Sequence, residues 1–256
     1  MNEVFNPRRF GRLFVKHTLD HYPAYLMAIA VLGGILLLGG TFLFFMLPGA
    51  VTSDMQWVLF ATGLFLAGTL FTSSIFSEFG DPSKSISSLM LPATALEKFL
   101  VGWIYSFVIF TAVYIILFFV VLSGLIQVKH AQGYEDALPM RTPLSSASLL
   151  LIYSFLHAVA LYGAIAFNKL HFIRTAFCFF IAYGLLILLN TFYLGVITGT
   201  NALPAIPFAP FAFRAGGSEY SIHLSFAESS LFVYVLIAVT ILFWLAAYLR
   251  LKEKQA

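Results

Sequence analysis

The sequence contains a single cysteine, few charges and none of the common enzyme motifs. Cys178 is the one cysteine among 256 residues, so neither a disulfide nor a cysteine-based metal site can form within one chain. The nucleotide-binding GxxxxGK[ST], zinc-binding HExxH, redox CxxC and serine-hydrolase GxSxG patterns are all absent. We therefore expect no catalytic residue, no metal and no cofactor, and we predict that the chain is not an enzyme.

The scarcity of charge indicates the membrane class. Only 10% of the residues are charged and 61% are hydrophobic, whereas a soluble domain is about 25% charged. Six apolar runs are long enough to cross a bilayer, and each must be a helix because backbone polar groups cannot be left open in lipid. The sequence thus predicts an all-α integral membrane protein, a single domain over residues 1–256 with transmembrane helices at about 24–47, 55–77, 99–126, 147–167, 172–197 and 230–250.

The distribution of basic residues predicts the orientation of the chain. With the N-terminus in the cytoplasm, inner segments carry 11 of the 14 Lys and Arg residues, and outer segments carry only Lys129, Arg141 and Arg214. This asymmetry follows the positive-inside rule and predicts that both termini are cytoplasmic. The net charge of +3 then reflects topology and anionic lipid, with no nucleic-acid partner.

A short amphipathic helix is predicted before the first transmembrane run, at residues 7–21. Pro23 is expected to mark the turn into the membrane. The basic face could meet anionic headgroups or a protein, or the helix could be a simple lipid-facing anchor. The apolar face carries Phe10, Leu13, Phe14 and His17, and the polar side carries Arg8, Arg9, Arg12, Lys16 and Asp20.

The loop between the second and third runs, DPSKSISSLMLPATALEKF, is unusually organised. Asp81-Pro82 is typical of a helix start and Pro92 of a helix end, so a short helix is predicted at about 82–91. Thr94 and Glu97 have the spacing of a capping box that starts the third transmembrane helix. The short helix either docks into a groove of a partner or buries its apolar ridge in lipid. That ridge consists of Ile86, Leu89 and Met90.

Small residues in the first two runs indicate close helix packing. The first contains GGILLLGG at residues 33–40, and the second contains Gly63, Ala67 and Gly68. Such residues let helices approach closely in lipid. They could form a dimer face or pack within one chain.

The segment before the sixth run, about Pro204 to Glu228, is rich in Pro and Phe. With Gly216-Gly217 as a break, it predicts short broken helices that dip into the outer leaflet, a re-entrant segment.

Two polar residues lie deep within apolar runs. His157 is near the middle of the fourth run, and Asn190 is in the later half of the fifth. Intramembrane polar groups are candidates for a substrate or proton path. The alternative is a neutral imidazole bonded to a neighbouring Tyr, Ser or Asn, and for Asn190 a packing role.

Taken together, the basic amphipathic helix, the six runs, the structured loop with LPATALEKFL, the broken outer segment and the LRLKEK tail resemble a type-2 ABC exporter permease. The LPATALEKF and LRLKEK stretches are most similar to permease-like membrane proteins of Bacteroidota. The resemblance covers the whole chain by layout.

The resemblance implies a permease subunit in a bacterial inner membrane that pairs with a second permease chain, identical or related, and with separate cytoplasmic ABC ATPase subunits. In this family the 7–21 helix corresponds to the interface helix and the 82–91 helix to the coupling helix. Membrane lipids are the remaining partner. The residues expected to couple to the ATPase are Lys84, Ile86, Leu89, Met90 and Glu97.

Two other functions remain open at this stage. The chain could be a membrane scaffold or assembly protein of the same fold that does not transport. It could also be an intramembrane enzyme or a proton-coupled carrier centred on His157.

Overall fold

The computed structural model describes residues 5–46, 53–80, 93–131, 147–199, 206–207, 211–215, 218–222 and 226–254. Its main elements are six helices that are long and apolar enough to cross a membrane, which agrees with the predicted multi-pass class. The predicted 82–91 helix lies outside the described residues. The helices are α1 (Pro7–Met46), α2 (Ser53–Gly80), α3, α4 (Ala147–Ala166), α5 (His171–Thr198) and α6 (Phe226–Glu253).

Helix α3 consists of three consecutive parts. An α-helical part (Ala95–Trp103) is followed by a π-helical segment (Ile104–Ile109) and by a second α-helical part (Phe110–Ala131). The first part begins at Thr94 with a capping box, in which the Thr94 side chain accepts from the Glu97 backbone N–H and Glu97 reaches back to the Thr94 backbone. The predicted capping box is therefore confirmed.

Helix α1 runs without interruption from Pro7 to Met46, with Pro23 inside it. The prediction of a separate 7–21 helix that ends at a turn near Pro23 is wrong. Proline in a helix interior removes one hydrogen bond and costs about 3 kcal/mol, but packing on both sides of Pro23 opposes a break. Before Pro23, the ring of His17 packs against Tyr105 of α3, with a distance of 4.9 Å between the ring centroids. After Pro23, the ring of Tyr25 packs against the same Tyr105 ring, with a centroid distance of 5.2 Å.

Helices α1 and α3 lie side by side and run in parallel. Arg9 pairs with Glu97 near the start of both helices, and Tyr25 stacks on Tyr105 farther along. Gly40 faces Leu125 toward their other ends. The pair is thus in contact over about 30 residues, or about 45 Å of helix.

Two apolar clusters form the core, one toward each end of the bundle. The first joins α2, α3 and α4 through Phe60, Tyr114 and Tyr153. The second joins α2, α3, α4 and α6, and Phe10, Leu13 and Phe14 of α1 pack against it. We call the end that contains the second cluster the clamp end, because the ion pair between Arg9 and Glu97 lies there. The first turns of α1 and the last turn of α6 both lie there.

Two glycines of α2 provide close contacts within the chain. A Cβ at Gly63 would collide with the ring of Tyr114, and a Cβ at Gly68 would collide with the ring of Tyr153. Of the two alternatives for the small residues of α2, the structure supports packing within one chain at these positions. In α1, Gly40 is tight against Leu125, whereas Gly34 and Gly39 have open space.

The segment before α6 contains a two-stranded antiparallel hairpin. Strand β1 (Phe211–Ala215) pairs with β2 (Ser218–Ile222), and Ala215 is opposite Ser218. The expectation of short helices is therefore wrong for these residues. Gly216-Gly217 is compatible with a break between helices, but two glycines between short segments are also a typical hairpin connection.

Candidate functional site

The residues predicted to couple to an ATPase fall into two groups. Lys84, Ile86, Leu89 and Met90 lie outside the described residues. Glu97 is described and is fully buried at the clamp end, where its carboxylate is held by several donors. Its position is therefore that of an anchor between helices.

Glu97 and Arg9 form an ion pair that we call the clamp. Arg9 Nε donates to Glu97 Oε2 at 2.7 Å, and Arg9 Nη2 donates to Oε1 at 2.7 Å. The backbone N–H of Asn6 donates to Oε1 at 2.9 Å, and that of Thr94 donates to Oε2 at 3.0 Å. Such bidentate, charge-assisted bonds are among the strongest side-chain interactions. The clamp therefore ties the first turn of α1 to the first turn of α3.

This ion pair separates Arg9 from the other cations of the predicted basic face of the N-terminal helix. Arg9 is half-buried against Glu97, whereas Arg8, Arg12 and Lys16 are exposed. Three residues of the predicted apolar face, Phe10, Leu13 and Phe14, contact the core cluster of the clamp end.

A cluster of histidines and tyrosines follows the clamp along α1. His17 and His21 are one turn apart with ring centroids at 4.4 Å, and His21 Nδ1 donates to the His17 carbonyl at 3.0 Å. The Tyr25 hydroxyl bonds His17 Nε2 at 2.6 Å. Tyr105 of the π-helical segment packs against this cluster, and its hydroxyl bonds that of Thr18.

Side-chain hydroxyls donate to carbonyl groups within and directly before the π-helical segment. In a π turn the regular i→i+4 hydrogen bonds give way to i→i+5 bonds, and hydroxyl groups can add further donors to the backbone carbonyls there. Ser106 donates to the Trp103 carbonyl, Tyr153 to the Ser106 carbonyl and Thr111 to the Phe107 carbonyl. The irregular pitch is thus supported by side chains of both α3 and α4.

His157 is fully buried between α3, α4 and α6, and both of its ring nitrogens are bonded. Trp244 Nε1 donates to Nδ1 at 3.3 Å, and an indole N–H can only donate. The imidazole is therefore neutral with its proton on Nε2, which donates to Ser106 Oγ at 2.9 Å. Ser106 in turn donates to the Trp103 carbonyl at 3.4 Å. This chain of donors connects α6 through α4 to the π-helical segment.

His157 and Asn190, the two candidates for a substrate path, lie at different levels of the bundle. Helices α4 and α5 are antiparallel, since Gly163 faces Thr175 and Phe155 faces Phe179. Asn190 is 11 residues beyond Phe179, or about 16 Å along α5. It is half-buried, on a helix with no fully buried residue. The structure therefore does not bring the two side chains to one site.

An apolar cleft of about 200 Å³ lies between α1, α2 and α3, away from the clamp end. Gly39, Gly40 and Gly63 make room for it, and Leu36, Leu59 and Phe118 are among the surrounding side chains. None of the described residues that line it is charged.

The sequence did not single out Tyr105, Ser106 and Trp244, which complete these contacts. The available signal was the pair Tyr105-Ser106 inside an apolar run, since buried hydroxyls need partners. Within the described residues, no group of three His, Cys, Asp or Glu side chains could hold a metal ion. Comparison with protein-family models, with curated proteins and with solved structures finds no match to this chain.

Proposed function

We propose that the chain is the membrane-spanning permease subunit of an ATP-driven ABC exporter and works with a separate ATPase subunit. The proposal rests on the layout that resembles type-2 ABC permeases and on six helices suited to cross a membrane. The chain has no GxxxxGK[ST] motif of its own, so ATP hydrolysis would come from the partner chain.

The observation that carries the proposal is the clamp. The proposed coupling helix, residues 82–91, is followed almost directly by the capping box at Thr94 and by Glu97. Because Glu97 is bonded to Arg9 and to the Asn6 backbone, a force on the coupling helix would reach α1 and α3 together. A loop that merely connected two helices would not need such a joint.

In the proposed mechanism, nucleotide-driven closure of the ATPases shifts the balance between two packings of the bundle. The parallel pair of α1 and α3 would move as one body at the clamp end. The π-helical segment, where α3 departs from regular pitch, would transmit that motion to α4 and α6.

The proposal also covers the partner chain, the location and the cargo of the complex. The complex would contain a second permease chain, identical or related, in a bacterial inner membrane with both termini in the cytoplasm. The cargo would be a lipid, glycan, peptide or drug-like molecule. An enzyme or proton-coupled carrier centred on His157 has less support, since both nitrogens of this buried ring are engaged within the protein.

The test is co-purification from the native host after mild solubilisation, with the associated proteins identified and quantified by mass spectrometry. We expect a stoichiometric P-loop ATPase with the wild type. The variant Ile86→Asp/Leu89→Asp/Met90→Asp should reduce the bound ATPase by about tenfold or more, because a few apolar anchors carry most of the energy of such an interface.

The matched control is Ser85→Asp/Ser87→Asp/Ser88→Asp, which adds the same three charges to the same segment beside the apolar ridge. We expect it to retain most of the ATPase. Equal loss in both variants would mean that charge alone disrupts binding, and the ridge would lose its assigned role. A wild-type preparation without any ATPase, even after crosslinking, would favour the non-transporting scaffold.

A further inference from the structure

Three cations form an exposed row on the first turns of α1, which we call the basic ridge. Arg8, Arg12 and Lys16 follow one another at intervals of four residues, so they lie on one side of the helix. All three are exposed, and no ion pair joins them to an acid within the part of the chain that the structure describes. Asp20 comes four residues after Lys16 and is the acidic residue on the same side of the helix.

The packing of α1 places the basic ridge at the level of other charged residues of the clamp end. Phe10, Leu13 and Phe14, on the opposite side of the same turns, contact the cluster that contains Phe99 and Leu251. The exposed cation Arg250 directly precedes Leu251 in the sequence, whereas Lys98, which directly precedes Phe99, is buried. Basic residues at the ends of membrane-spanning helices lie at the headgroup level of a bilayer, and the basic ridge shares that level.

The basic ridge also faces in the same direction as the exposed apolar side of α1. Leu19, Leu26 and Leu37 follow Arg12 at steps of seven, seven and eleven residues, which keep them on one face. Their exposed fractions are 71%, 48% and 53%. A face that is apolar and open along the spanning part of a helix meets lipid, so the ridge that continues it faces the headgroups of the same lipids.

Charge complementarity decides between the candidates for this surface. A second copy packed symmetrically on this face would bring two basic ridges together at the same level, and like charges repel. The phosphates of anionic phospholipids offer opposite charge, which attracts basic side chains near the membrane surface.

We propose that the basic ridge is a binding surface for anionic phospholipid headgroups, with Arg8, Arg12 and Lys16 as the phosphate contacts. Arg9 takes no part, because Glu97 already binds its guanidinium group. The inference does not depend on ATP-driven transport and holds equally for a scaffold of this fold.

The test uses the full chain reconstituted in phosphatidylcholine vesicles with a trace of spin-labelled phosphatidylglycerol or spin-labelled phosphatidylcholine. Electron paramagnetic resonance gives the fraction of each label that the protein immobilises, and the two fractions give a relative association constant. We expect the wild type to prefer phosphatidylglycerol by about threefold or more, and 0.5 M salt to reduce the preference because exposed charges are screened.

Substitution Arg8→Gln/Arg12→Gln/Lys16→Gln should bring the preference close to one. The matched control, Lys169→Gln/Arg174→Gln/Lys252→Gln, removes three exposed cations from other segments at the same end and should keep most of the preference. The variant Arg8→Lys/Arg12→Lys retains the charge and should bind like the wild type.

Three outcomes would overturn the inference. These are a wild type without preference, a ridge variant that keeps the preference, and a control that loses as much as the ridge variant. The last result would mean that the summed positive charge of this end of the protein attracts the lipid, and that the three ridge residues have no special part in it. Because the three ridge side chains are exposed, we expect the variants to fold, and their unfolding temperatures in detergent check this.

Discussion

At the scale of single residues, a buried histidine shows how the structure supplies hydrogen-bond partners that the sequence left open. His157 accepts from Trp244 and donates to Ser106, which matches the alternative of a neutral, hydrogen-bonded imidazole. Side-chain hydrogen bonds between membrane helices contribute about 0.6 kcal/mol on average and at most about 1.7 kcal/mol. The role supported by the structure is therefore to join α3, α4 and α6.

This role predicts different effects for two substitutions of His157. His157→Gln keeps one acceptor and one donor and should lower the free energy of unfolding by less than about 1 kcal/mol. His157→Leu removes the acceptor of the Trp244 N–H and the donor to Ser106, and it should cost about 1–2 kcal/mol. Unfolding titrations in mixed detergent and sodium dodecyl sulfate measure both. Equal costs for Gln and Leu would show that the hydrogen bonds contribute nothing measurable.

At the scale of the elements, the clamp joins two helices that are distant in sequence. Glu97 has two jobs there, since it completes the capping box of α3 and binds Arg9 of α1. The two jobs are separable, because glutamine can serve in a capping box but cannot form the ion pair.

Different substitutions at the clamp should therefore remove the cap and the ion pair separately. We expect Glu97→Ala to lower the free energy of unfolding by about 2–3 kcal/mol and Thr94→Ala by about 1 kcal/mol, since the second loses the cap alone. Glu97→Gln should loosen α1 from α3, seen as faster hydrogen exchange over residues 7–16, while the start of α3 stays protected. Unchanged exchange in residues 7–16 of Glu97→Gln would contradict a holding role of the ion pair.

The π-helical segment is the second feature that belongs to the element scale. Tyr105 faces α1 and Ser106 faces His157, so consecutive residues of one turn contact opposite neighbours. The sequence predicted a helix throughout this region, which is confirmed. Its pitch was not predictable, because part of its support comes from another helix. Tyr153 of α4 donates to the Ser106 carbonyl, whereas Thr111 bonds the Phe107 carbonyl within α3 itself.

At the scale of the whole molecule, the arrangement of the six helices brings the first turns of α1 and the last turn of α6 to one end. Phe10 and Leu251 belong to the same region of packing, and the Lys254 ammonium group donates to the Ile165 carbonyl of α4 at 2.7 Å. Asp54, at the start of α2, lies toward the other end.

Labelling with a membrane-impermeant maleimide tests this arrangement and the predicted orientation. In a Cys178→Ala background, we expect Asp54→Cys to react in intact spheroplasts, and Gly11→Cys and Lys252→Cys to react only after permeabilisation. Reaction of both clamp-end cysteines in intact spheroplasts would reverse the orientation. Different behaviour of these two would contradict the placement of both helix ends on one side.

The sequence by itself determined the membrane class, the number of helices and most of their limits. Long apolar runs leave the backbone no alternative to helix in lipid, and Thr94 with Glu97 marks the start of α3 from local chemistry alone. These features depend on residues that are close together in the chain.

Only the tertiary structure decided the features that depend on distant residues. Pro23 signals a helix end locally, yet contacts of His17 and Tyr25 with Tyr105 carry α1 through it. Likewise, Arg9 belongs to a basic face by periodicity but is withdrawn from it by a carboxylate 88 positions away. The physical reason is the same in both cases: the free energy of a contact between helices is set by their packing and has no signature in the local sequence.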